Sequence, residues 1–367
     1  MQNKKQRIVK VVVTVVVLAV LVVTGGLITK TPLRERGIVT GLGLDKDGDE
    51  LVLLAQVVVS GESSTPGSAS AFDVLEGRGK TLSEAFDNLA SKVTLTPSYS
   101  HCNILFVGKN LLEDNFDEIA LKLFENNKIK DNTQLVVADN AKETMQTVVP
   151  IAQTPSEYME KEVKISSENG GRSIVSLKDY VQRQDITSGA KYITYAIKVP
   201  ATPPTGENTS KADKEVFLFD LSNTAVFDID GKVHYYGSDV TEGVGLVEAT
   251  GGSITAFEGE KYITVDILQS YKIRTYQKEP AKITSDYTYY ITITEQTLEK
   301  SQDDLDLKKV EKMIKDTIKE KILYSYETAK KDNVDIFSII GRFYKRFGVK
   351  KNLDEIDWEI KIKVIVK

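Results

Sequence analysis

Three acids, Asp45, Asp47 and Asp49, alternate along Asp-Lys-Asp-Gly-Asp-Glu. That is the spacing at which an EF-hand loop offers its first oxygen ligands to calcium. The loop also needs a glycine after the third acid, for its sharp turn, and a bidentate glutamate in twelfth place. Here Gly48 falls between the acids and the twelfth residue is Gln56. The run therefore reads as the solvated turn of a hairpin. Gly77-Arg78-Gly79-Lys80-Thr81 carries the tail of a phosphate-cradling loop, but the full pattern requires a glycine where Val74 stands. Thr81-Leu82-Ser83-Glu84 is instead a capping box, with Thr81 accepting from an amide one turn on and Glu84 reaching back to the cap. His101 and Cys102 would be a base and a nucleophile if they converged, yet neighbours on a strand point to opposite faces. They read as a hydrogen-bonding histidine and a small buried cysteine.

The remaining chemistry is sparse. His234 is the second of two histidines and Cys102 is the sole cysteine, so neither an internal disulfide nor a thiolate metal site can be assembled. Neither G-x-S-x-G nor H-E-x-x-H occurs. Carboxylates are abundant, but nothing singles out a catalytic pair. No catalytic, cofactor-binding or metal-binding residue is assigned. Lys+Arg 48 against Asp+Glu 53 gives a net charge of -5, which makes no electrostatic case for a nucleic-acid partner. With 41% hydrophobic residues in 367, the chain can build real cores and is long enough for two or three domains. The lack of disulfides suits a bacterial surface better than a eukaryotic secreted module.

Elements follow from periodicity. Residues 37–59 alternate as a β-hairpin around the acidic turn, and 61–70 is a Gly/Ser/Pro loop. After the capping box, Leu82, Ala85, Phe86, Leu89 and Val93 mark one helical face. Strands are expected at 103–107 and 133–138, with helices near 116–126 and 141–148. Helix and strand alternate to about Val199. Residues 202–214 (TPPTGENTSKADK) form a polar linker, taken as a domain boundary. From 215 to 276 the text is strand-rich, with Asp228-Ile229-Asp230-Gly231 as a hairpin turn. A strand at 285–294 is followed by a long helix, with Leu307, Val310, Ile314, Ile318, Ile322, Tyr326 and Ala329 in one stripe. The chain closes on a strand from Trp358 to Lys367, with Ile360, Ile362, Val364 and Val366 on one face.

At the N-terminus, Lys4, Lys5, Arg7 and Lys10 precede an uncharged run from Val11 to Thr29. As a helix this run spans about 28 Å, close to the hydrocarbon core of a bilayer. The cations in front favour a cytoplasmic N-terminus and export of the remainder. An uncleaved signal anchor is expected, the competing reading being a cleaved signal peptide.

Several stretches taken together resemble a known family. They are GIVTGLGLDKDGDELVLLAQVVV (37–59), EGRGKTLSEAFDNLASKV (76–93), SYSHCNILFVG (98–108), FDLSNTAVFDIDGKVHYYG (219–237), DNVDIFSIIGRFYKRF (332–347) and DWEIKIKVIVK (357–367). In this order and spacing they are similar to the Ger(x)C family, the C subunits of spore germinant receptors. The resemblance implies an α+β protein of three mixed domains, each a mainly antiparallel sheet with helices packed on it, after one N-terminal transmembrane helix. Mapped onto this chain, residues 1–30 are the membrane anchor, 34–201 an N-terminal α+β domain, 215–277 a middle β-rich domain and 281–367 a C-terminal α+β domain with the long helix. It also implies a non-catalytic subunit of a nutrient receptor at the outer surface of the spore inner membrane. Its partners there are a multi-pass permease-like subunit and a second membrane subunit, and direct nutrient binding by this subunit is not expected. Typical members carry a lipid-bearing cysteine at the end of the signal peptide, where this chain has Val23-Thr24-Gly25-Gly26-Leu27. Attachment would then rest on the helix itself. Alternatives from other classes are a surface-anchored solute-binding protein and a cell-wall-associated hydrolase.

Overall fold

The computed structural model describes residues 13–16, 36–58, 72–93, 96–150, 152–169, 174–183, 190–201, 215–248, 251–297 and 307–367. Short β-branched and leucine-rich runs form the first strands: β1 (Arg36–Asp47), β2 (Glu50–Val58) and β3 (Phe72–Gly79). Helix α1 (Leu82–Lys92), the short β4 (Thr96–Ser98), a 3-10 turn (Tyr99–His101), and β5 (Ile104–Gly108) come next. Helices α2 (Lys109–Leu112) and α3 (Phe116–Asn126) lead to β6 (Gln134–Ala138). They are followed by α4 (Ala141–Gln146), α5 (Pro155–Asn169), α6 (Leu177–Gln182) and β7 (Tyr192–Pro200). Strands β8 (Phe217–Phe227) and β9 (Val233–Tyr236) precede α7 (Ser238–Glu248). The chain ends with β10 (Gly252–Glu258), β11 (Lys261–Gln277), β12 (Lys282–Gln296), α8 (Leu307–Lys331), α9 (Ile339–Phe347) and β13 (Asp357–Val366).

The first sheet has nine strands in the order β3-β2-β1-β5-β6-β7-β8-β9, with β4 paired to β1. Its middle is parallel, β1 to β5 to β6 to β7, and its two flanks are antiparallel hairpins. Parallel strands covered on both faces need apolar residues on both, and β5 and β6 are buried along nearly their whole length for that reason. Leu42, Leu44, Leu53, Leu105 and Val107 face α1, α3 and α6 in one core, while Leu54, Ile104, Phe106 and Val136 face α4 and α5 in another.

The second sheet runs β10-β11-β12-β13, antiparallel except for the parallel β12–β13 pair. Helices α8 and α9 form the crossover that a parallel neighbour demands. The stripe expected on α8 is buried at Val310, Ile314, Ile318, Ile322, Tyr326 and Ala329, while Leu307 at its start is 50% exposed. The first core continues through α7 and α8 into this sheet, so the two sheets share one apolar interior.

Two expectations change. The overall α+β character holds, but the first sheet is mixed, with four parallel and four antiparallel pairings. The 215–277 stretch has no sheet of its own: β8 and β9 extend the first sheet, and β10 and β11 begin the second. Helix α7 also lies in that stretch, where only strands were read. Its valines and glycines have poor helix propensity, and packing overrides it. A Cβ on Gly243 would lie 2.0 Å from Ser325 Oγ, so glycine is what lets α7 close on α8. The anchor run Val11 to Thr29 and the linker 202–214 lie outside the described residues, save 13–16, which are helical. Among the described residues no helix is long and apolar enough to cross a membrane.

Candidate functional site

The acids of the calcium-like spacing diverge. Asp45 lies near the end of β1 against the start of α4, where its two carboxylate oxygens accept the Ala141 and Lys142 amides, each at 3.2 Å. Burial raises its carboxyl above the usual carboxylate range, against the pull of those two amides. Asp47 accepts from Arg78 Nη1 at 2.8 Å, and Gly48 and Asp49 make the tight turn of the β1–β2 hairpin. Gln56, read above only as the wrong twelfth ligand, is fully buried in β2. Its Nε2 donates to Met145 O at 2.9 Å, and its Oε1 accepts the Ser156 amide at 3.1 Å. It therefore joins the end of α4 to the start of α5.

The Gly-Lys-Thr stretch is structural. Thr81 caps α1 by accepting the Glu84 amide at 3.2 Å, and Glu84 Oε2 accepts the Lys80 amide at 2.8 Å. The reach-back bond thus lands one residue earlier than the usual capping box. Gly77 and Gly79 stand where a Cβ would meet Ala85 O at 2.2 Å and the Ala85 amide nitrogen at 2.7 Å. These glycines admit α1 against β3 rather than a phosphate.

His101 closes the exposed 3-10 turn and Cys102 is fully buried. They separate because the turn ends between them, not because of strand alternation. Burial pushes the Cys102 thiol up to about 12, and its Sγ contacts Ile104 O at 3.4 Å. His234 Nε2 pairs with Asp228 Oδ2 at 3.0 Å on the β8–β9 hairpin. Burial raises the Asp228 carboxyl, but His234 and the Lys232 and Asp230 amides outweigh it and hold it below its usual range. Among the described residues no group of three or more His, Cys, Asp or Glu could hold a metal ion.

What does stand out is a strand edge. β10 covers β11 only from Lys261 to Ile267. Past a bulge between Ile267 and Gln269, β11 runs on as far as Gln277 with β12 as its sole strand partner among the described residues. Leu268, Tyr271 and Ile273 along this stretch are 53%, 52% and 66% exposed. Tyr271 rests edge-on against Tyr290 of β12 at 5.8 Å. An edge without a second strand partner and with apolar side chains is the substrate of β-augmentation, in which an added strand supplies the missing ladder. The sequence marks 215–276 only as strand-rich, and the polar residues of Lys272-Ile273-Arg274-Thr275 mask the continuation of this one strand to Gln277.

The fold is that of a two-sheet α+β protein with an exposed, partly apolar strand edge. Residues 29–199 match the family described as spore germination protein N-terminal domain. Residues 222–367 match spore germination B3/GerAC like, C-terminal. The chain belongs to the Ger(x)C family, the C subunits of germinant receptors. It is 24% identical over 256 residues to spore germination protein KC of Bacillus subtilis (strain 168), covering 65% of this chain and 61% of that protein. The match thus spans less than two thirds of that relative's length. The crystal structure of the GerBC protein is similar at a TM-score of 0.49 and 10% identity, over 89% of this chain and 96% of that one.

Proposed function

We propose that this chain is a non-catalytic, membrane-anchored subunit of a nutrient germinant receptor in the spore inner membrane. It acts by docking to the multi-pass permease-like subunit and the second membrane subunit, which leaves nutrient binding to those chains. Membership of the Ger(x)C family supports the receptor role. The observation that carries docking is the uncovered apolar edge of β11 from Leu268 to Gln277. Its occupant is an extended segment from an extracytoplasmic loop of the multi-pass subunit. The Val11–Thr29 run supports that choice, because a tethered chain meets other membrane proteins at high effective concentration.

The test is co-expression with the receptor's membrane subunits and capture through a tag on this chain. Wild type should retain the multi-pass subunit, and Ile273→Lys should release most of it while the far-ultraviolet circular dichroism stays unchanged. Capture of no membrane subunit, together with normal nutrient germination after deletion of this chain, would refute the proposal.

A further inference from the structure

Three cations gather at the inner face of the second sheet with fewer acids than cations acting on them. Lys272 and Arg274 are two apart on β11, so both point to the same face. The register sets them opposite Tyr287 and Ser285 of β12. Arg342 of α9 is near enough to act on both, and its Nε donates to Phe337 O at 3.2 Å. Lys272 Nζ donates to Val247 O, in the last turn of α7, at 3.2 Å. Among the described residues none of the three forms an ion pair.

The nearby acids are already committed. Glu248 accepts from Tyr192 Oη at 2.8 Å and lies 3.7 Å from Arg183 Nη2. Asp335 accepts the Ile339 and Ile340 amides at 2.7 and 2.8 Å. The cations disturb one another: desolvation, and then Arg274, hold both the Lys272 ammonium and the Arg342 guanidinium below their usual values. Beside Arg274 and Arg342 sits the Tyr287 hydroxyl. Tyr287 is 2% exposed, and its Oη lies beside Ser285 and Arg274 but makes no hydrogen bond of good geometry. A buried hydroxyl so poorly satisfied, beside like charges that Glu248 offsets only in part, is costly unless something completes it.

We propose that Lys272, Arg274, Arg342 and Tyr287 form a binding site for a phosphate-class dianion, either inorganic phosphate or a small phosphomonoester. Guanidinium forks match phosphate oxygens bidentately, the ammonium adds a point charge, and the phenol donates to a remaining oxygen. A dianion meets the positive excess that Glu248, shared with Arg183, leaves on the three cations, whereas a monoanion meets less of it. The site is independent of the β11 edge, because Lys272 and Arg274 face inward while Tyr271 and Ile273 face out.

The test is calorimetric titration of the full chain in detergent micelles, with inorganic phosphate as probe and chloride at matched ionic strength as control. Saturable one-site binding is expected, with a thermal midpoint that rises as phosphate is added. Lys272→Met, at a solvent-accessible position, should weaken it about tenfold or more, and Tyr287→Phe should weaken it less. Glycerol phosphate extends the experiment: competition for the same site supports a monoester ligand, and its exclusion supports inorganic phosphate. No saturable phosphate binding, or equal affinity in both variants and wild type, would overturn the assignment. So would Lys272-dependent binding to phosphatidylglycerol vesicles by a protein that ignores free phosphate.

Discussion

Replacing Gln56 by leucine tests whether a buried amide, rather than apolar packing alone, holds α4 and α5 on the first sheet. Leucine preserves most of the volume, so the cavity contribution is small. It removes the donor to Met145 O and the acceptor of the Ser156 amide, both buried, at 2.9 and 3.1 Å. Leaving a buried backbone group unpaired costs about 1–3 kcal/mol. Two such groups, less the gain from burying an apolar side chain in their place, give about 3 kcal/mol. With a urea slope of about 3 kcal/mol/M for a chain of this size, the unfolding midpoint should fall by about 1 M. The assay is urea unfolding of the full chain in micelles, followed by far-ultraviolet circular dichroism. Gln56→Glu should do at least as much harm at neutral pH, because it keeps an acceptor for Ser156 but sets a buried charge against the Met145 carbonyl. A Gln56→Leu midpoint within about 0.2 M of wild type would refute the reasoning. It would mean that water or a backbone shift satisfies both groups.

Three further outcomes are expected. Burial raises the Asp335 carboxyl from 3.8 to about 6, so between those values the folded state binds more protons than the unfolded. Its contribution is then largest below pH 4 and is lost as pH rises to 6, about 3 kcal/mol in all. The pH–stability profile of Asp335→Asn should lack that fall, and parallel profiles would count against it. Cys102, fully buried with its thiol pushed up to about 12, should resist an aromatic disulfide reagent until urea unfolds the chain. Rapid labelling of native protein would contradict this placement. Thr81→Ala should cost about 1 kcal/mol through loss of the α1 cap, whereas Thr81→Ser should cost much less, by the same urea assay.

Legibility followed the strength of periodicity. The β1–β2 hairpin, α1, α3 and the α8 stripe could be read because each buries one face at a fixed period. Sheet membership could not. β5 and β6 are buried on both faces, so they show no alternation that would tell a parallel centre from an antiparallel one. Helix α7 was hidden by Gly243 and Gly245; the small size of Gly243 serves contact with α8 and not local propensity. The dismissal of a calcium loop rested on two misfit residues and that of a phosphate loop on one, and the structure gives Asp45, Thr81 and Gly77 other work. The Lys272–Arg274–Arg342 cluster was out of reach, because it joins β11 to a helix some 70 residues later. Only the like charges at alternate positions of β11 hinted at it.

The β7–β8 ladder pairs Tyr192 with Val226 and Pro200 with Phe217, and so bridges the gap between the two family matches, which end at 199 and begin again at 222. Two halves stitched along one ladder are inherited together. Natural recombination between paralogues, or a chimera made to swap specificity, would tear that ladder if the crossover fell between residues 192 and 227. Viable breakpoints should therefore avoid this interval, and substitutions along β7 should be answered by compensating ones along β8. The polar stretch 202–214, which looks like the natural place to cut, joins two neighbouring strands of one sheet.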